Sequence, residues 1–126
     1  MFEIGEQYSF YYIKDKLEVK HGNSMLRKGK KFVGLCLEDK INFIQPNIML
    51  VKNGCLIRKI GRDLASAKYP IKLFFKNHQQ SKYEYLGETE VIETKTAPKK
   101  VKSTLQRFTK KNPKDFSRLV YLNMPN

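Results

Sequence analysis

At 126 residues and 40% hydrophobic content, with 8 Phe and 7 Tyr, the chain is sized for one domain around one core, which excludes disorder along its whole length. Its 25 Lys and Arg against 12 Asp and Glu give a formal charge of +13, an excess that points to a polyanionic partner, nucleic acid before an acidic membrane surface. No apolar run approaches the roughly 18 residues of a membrane span, and residues 1–6 carry neither a basic nor an apolar leader, so the expectation is a cytoplasmic domain with no membrane partner, alone or as the recognition module of a longer protein.

Along the chain, residues 8–16 fit either a short helix or a strand. Short apolar runs predict strands over residues 17–20, 32–37, 41–44, 48–51, 55–60, 71–76, 83–86, 89–93 and 118–122. Turns fall at Glu38-Asp39-Lys40, Gln45-Pro46-Asn47 and Lys52-Asn53-Gly54, and Asn53-Gly54 between apolar runs signals a tight hairpin. Residues 62–69 read as a short helix stopped before Pro70. Ile71, Leu73 and Phe75 alternate with Lys72 and Phe74, the period of a half-buried strand. Residues 77–82 carry no aliphatic side chain and form its loop, and Gly87 permits a kink or bulge further on. A last helix follows: Thr96 caps it, Pro98 suits its first turn, Val101, Leu105 and Phe108 make its apolar stripe, and Asn112-Pro113 ends it. Many short strands with two or three short helices predict an α+β, β-barrel-like domain, because closure removes exposed edges.

The cations are unevenly placed. Residues 1–66 hold 12 basic and 7 acidic side chains, residues 67–126 hold 13 and 5. Between Glu93 and Asp115 there is no acid, while Lys95, Lys99, Lys100, Lys102, Arg107, Lys110, Lys111 and Lys114 all fall there. Lys99 and Lys100 sit in a first helical turn, where the helix dipole disfavours cations and a phosphate would relieve the cost. A second cluster, Arg27, Lys28, Lys30 and Lys31 around Gly29, makes a loop able to approach a phosphate backbone. Of these, Arg27, Lys28, Lys30, Lys31, Lys99, Lys100, Lys102, Arg107, Lys110 and Lys111 are assigned to the DNA backbone. Tyr11 and Tyr12, from the ring-rich stretch Tyr8 to Tyr12, and His21 and Asn23 are the candidates for base contact, through stacking and edge hydrogen bonds.

Catalytic chemistry is not indicated. His21 and His78 are the only histidines, and Cys36 and Cys55 lack metal-ligand spacing, so no metal or other cofactor is expected. Both cysteines sit in apolar runs and are expected to be buried and reduced. No phosphate-binding glycine loop or nucleophile elbow is present, and Glu38-Asp39-Lys40 reads as a solvated turn. The expectation is a binding module, not an enzyme.

The segment Ile-Lys-Leu-Phe-Phe of residues 71–75, the polar loop, and Tyr83-Glu84-Tyr85-Leu86-Gly87-Glu88 resemble the late hairpin of SRA-like and other PUA-like pseudobarrels. Ile4-Gly5-Glu6-Gln7-Tyr8 is similar to the opening segment of SRA-like readers. Residues 57–63 lack the Tyr-Thr/Ser-Gly-rich form of a typical SRA domain, which points to a divergent reader rather than a methylcytosine-flipping one. The resemblance implies recognition of duplex DNA, including DNA with a modified or flipped base, in a restriction or defence protein whose nuclease or NTPase lies in another domain or subunit. The alternatives are a PUA-like RNA-binding protein and a basic protein–protein adaptor.

Overall fold

The computed structural model describes residues 2–125. Side-chain alternation sets up the central hairpin: in β6 (Ile71–Lys76), Ile71 and Leu73 turn to one core and Phe74 to another. β6 pairs antiparallel with β7 (Tyr83–Lys95) across the polar loop at residues 77–82. The two strands expected at 83–86 and 89–93 are one strand of 13 residues. Gly87, at φ +106°, opposes Leu73 next to a register shift. That backbone region suits glycine, and the resulting bulge bends the strand. Beyond it, Glu90 to Lys95 pair with β8 (Phe116–Asn123).

One bent strand thus serves both halves of the sheet. The pairing path runs β2 (Met25–Lys28), β3 (Lys31–Glu38), β6, β7, β8, β5 (Ile48–Lys52), β4 (Phe43–Ile44), with β1 (Gln7–Tyr8) added to the start of β7. Among the strands of the described residues only β3 and β6 pair in parallel, joined by a crossover that contains β4, β5 and the helix α2 (Cys55–Ala65). β2 and β4 end the path and do not pair with each other, so among the described residues the sheet is open. The expected barrel, and with it the SRA-like or PUA-like pseudobarrel, is therefore corrected to an open, mixed α+β sheet of 8 strands with three helices.

The physical reason lies in residues 55–60, expected as a strand and found as the first half of α2. Ile57, Ile60 and Leu64 recur at helical spacing and pack on the central core. α2 lies against β5 at Gly61 and reaches β2 through the Arg27–Asp63 pair at 3.9 Å. A segment expected to add a strand to the sheet packs on it as a helix instead. The Asn53-Gly54 hairpin is corrected for the same reason: Gly54 is the N-cap of α2, and the Asn53 N–H donates to the Asp115 carbonyl.

Three clusters of apolar side chains follow from the layers. Leu35, Leu73, Val120 and Met49 fill the central core with α2. α1 (Phe10–Lys16), capped by Ser9, buries Ile13 on the opposite face of β3, β6 and β7 with Cys36, Phe74 and Tyr85. α3 (Pro98–Phe108) buries Val101 and Leu105 on the outer face of β5 and β8. Residues 17–20, expected as a strand, form the turn after α1, with Glu18 at φ +59°. α3 is capped by Ala97 without a side-chain bond, and it stops at Phe108, where Thr109 becomes extended. Phe108 is consequently 46% exposed instead of completing the stripe, and Thr104 takes the buried position. Asn112 caps a separate 3-10 turn at Pro113–Asp115. No helix among the described residues is long and apolar enough to cross a membrane.

A candidate nucleic-acid interface

α3 docks by Val101, Thr104 and Leu105, which leaves its cations outward. Lys99, Lys100, Lys102, Arg107 and Lys110 are exposed and Lys111 is half-buried. Among the described residues none of the six makes an ion pair. The Arg107 guanidinium lies over the Phe108 ring at 5.3 Å. These side chains are solvated point charges, able to meet phosphates with no fixed geometry.

The β2–β3 hairpin holds its cations more firmly. Arg27 lies 3.9 Å from Asp63 and over the Phe32 ring at 5.8 Å. Lys28 Nζ donates to Glu18 at 2.6 Å, and this bond and charge hold the Glu18 carboxyl below its ordinary range. Lys31 lies over Tyr69, whose hydroxyl accepts from the Phe32 N–H at 2.8 Å. Lys30 is exposed and has no ion pair among the described residues.

The four candidates for base contact are divided. His21 and Asn23 line one surface groove with Arg27 and Lys28. Tyr11 and Tyr12 lie on α1, against the other face of the sheet, and do not line it. Tyr11 is 83% exposed, while Tyr12 stacks on Tyr8 at 5.3 Å between ring centroids.

The best-organised cations were not among the expected ones. A groove of about 460 Å³ between α2 and the start of β8 is lined by Arg58, Lys59, Arg62 and Arg118, with Thr96 and Ser117 and no acid. Arg58 and Arg62 are one helical turn apart and share a face beside Gly61. A Cβ at Gly61 would lie 2.6 Å from Val51 Cγ1, so only glycine lets the helix approach β5 this closely. Val51 is the cross-strand partner of Arg118. The same close approach that packs Gly61 therefore brings two α2 arginines beside Arg118. The Arg118 Nε is sealed from solvent without an acceptor among the described residues, a state that costs about 1–3 kcal/mol for a buried donor. Burial, then Arg62 and Arg58, push its guanidinium pKa down.

Lys59 also lines a second groove, with Arg27, Lys30, Asp63 and Tyr69. The hairpin, α2, the start of β8 and the approach to α3 at Thr96 thus share one basic band. Its only acid in either groove is Asp63, which faces Arg27. Reading residues 55–65 as one helix would have exposed Arg58 and Arg62 as an i, i+4 pair; nothing in the sequence places Arg118 beside them.

Elsewhere, a cavity of about 320 Å³ is lined by Phe10, Asn23, Cys36, Glu38, Asn42 and Tyr83, among others. Burial pushes the Cys36 thiol up to about 12. Burial, then Cys36 and Glu38, push Tyr83 up to about 12, so both are protonated at neutral pH. Cys55, expected to be buried, is exposed at the first turn of α2 and lines the four-cation groove. Among the described residues no three His, Cys, Asp or Glu converge as metal ligands. No family model, curated protein or solved structure matches the chain.

Proposed function

We propose that this domain binds duplex DNA through the basic band, as a recognition module whose bound DNA is processed by a nuclease or NTPase in another domain or subunit. The observation that carries the reading is the continuity of the band. Lys59 joins the hairpin groove to the groove of Arg58, Arg62 and Arg118, and Thr96 leads from there to the exposed cations of α3. A net charge of +13 supplies the long-range attraction, and the continuous band gives it a direction. The exposed rings Tyr11, Tyr12 and Phe108 line neither groove. Single strands are held chiefly by stacking on open rings; the two rings of the band, Phe32 and Tyr69, are covered by Arg27 and Lys31, which favours the regular phosphates of a duplex. His21 and Asn23, beside Arg27 and Lys28, are then the side chains best placed to reach base edges.

Fluorescence anisotropy with a short DNA duplex across a salt series tests the reading. Neutralising four to six phosphates gives a slope of log K against log salt of about −4 to −5. A flat response, or no binding at low salt, overturns it. Competition by modified DNA, plain DNA, structured RNA and an acidic polypeptide separates the readings: preference for RNA or the polypeptide replaces duplex DNA as the target.

A further inference from the structure

We propose that the groove between α2 and the start of β8 is a discrete phosphate-binding site, in which Arg58, Arg62 and Arg118 surround one phosphate group. The inference rests on the duplex-binding reading for the origin of that phosphate, and its test separates the two. Three observations carry it. The groove gathers four cations and no acid, so the protein itself offers no compensating charge. Arg118 is held half-buried with its Nε lacking an acceptor among the described residues, although solvated positions for a cation abound on this surface. The arrangement is imposed by close packing, because Gly61 against Val51 fixes where Arg58 and Arg62 stand relative to Arg118.

Arginine suits this role better than lysine. Its planar fork donates two parallel hydrogen bonds to a tetrahedral oxyanion, and it stays charged when partly desolvated. Three arginines converge here, whereas every charged side chain on α3 except Arg107 is a lysine. A phosphate between them screens the mutual repulsion of the guanidinium groups and accepts from solvent-facing N–H donors of arginines that make no ion pair among the described residues. Thr96 and Ser117 also line the groove; the Ser117 hydroxyl already donates to the Val51 and Lys52 carbonyls at 3.3 and 3.4 Å, so the arginines supply the donors for a phosphate. A phosphate seated in this way would fix the register of a bound duplex, which the solvated, unpaired lysines of α3 do not.

Cys55 provides the readout, since it lines the groove and is exposed while Cys36 is buried. The rate of its alkylation by iodoacetamide, a neutral reagent, is measured in the full chain with inorganic phosphate and with chloride at equal ionic strength. Phosphate is expected to slow alkylation saturably where chloride does not. In Arg62→Gln and Arg118→Lys the phosphate concentration needed rises by roughly tenfold or more, since each removes charge-assisted donors. Arg62 is exposed, so its variant keeps the test meaningful if the Arg118 variant melts early. Equal effects of phosphate and chloride, or variants that saturate with the unaltered chain, overturn the site. A DNA duplex, with binding followed by anisotropy, identifies the source. Binding with protection of Cys55 supports a backbone phosphate. Binding without protection overturns that source and assigns the groove to a free phosphate group. Absence of duplex binding overturns the duplex reading, and the phosphate result alone then decides the site.

Discussion

α3 and the α2–β8 groove are both basic, but they hold their charge in opposite ways. α3 buries an apolar stripe and leaves its lysines in water, unpaired and unconstrained among the described residues. The groove brings three arginines and a lysine from two elements together and keeps one guanidinium half-buried with an orphaned nitrogen. A solvated lysine contributes to affinity through counterion release and costs the fold little. Crowded arginines cost stability in the free protein, and an anion would recover it. Charge that is merely counted and charge that is organised therefore predict different responses to mutation.

The largest effect is expected from Gly61→Val. Its branched side chain would meet Val51 where even a Cβ lies 2.6 Å from Cγ1, and overpacking of this kind costs about 1–3 kcal/mol. Thermal melting should show the loss, and duplex affinity should fall more than the population of folded chain explains, because α2 can no longer hold Arg58 and Arg62 beside Arg118. Unchanged melting would mean that the close approach of α2 does not build the groove.

Next in size is the combined replacement of Lys99, Lys100 and Lys102 by Ala. All three are exposed, so melting should be unaffected. Affinity should fall similarly for every duplex sequence, with a salt slope shallower by up to about 3, near 1 per lost phosphate contact. If this triple change instead alters the preference between sequences, α3 is reading the duplex and the contrast with the groove is lost.

The smallest effect is the most diagnostic. Arg62→Gln removes one of the charges that bear on Arg118 and breaks the like-charged i, i+4 pair with Arg58. The variant should melt slightly higher in the absence of phosphate, by about 0.2–0.5 kcal/mol, while binding more weakly. A variant that is both less stable and weaker would show that Arg62 serves the fold, and the groove would lose its claim to stored repulsion.

Much of the local structure was legible in the sequence. The alternation through residues 71–76, the polar loop after it, the strands at residues 32–37 and 48–51 and the existence of α3 follow from side-chain period and from Pro98. The charge total and the acid-free block after Glu93 are read directly from the chain, and the cations of α3 stand exposed. Residues 55–60 satisfy both periods until their neighbours are counted, and Gly61, between that expected strand and the helix expected at residues 62–69, lies inside α2, which ends at Ala65. That element adds a helix on the sheet instead of a strand in it, and β2 and β4 remain unpaired edges. β2 was missed because the polarity of its end, Arg27-Lys28, reads as a charged loop, although Met25 and Leu26 are buried. Periodicity and net charge are properties of neighbouring residues, so the chain fixes them by itself. The position of Arg118 beside Arg58 and Arg62 depends on β5 pairing with β8 and on α2 pressing against β5 at Gly61. Those contacts join segments far apart in the chain, and only the packed tertiary structure decides which cations they bring together.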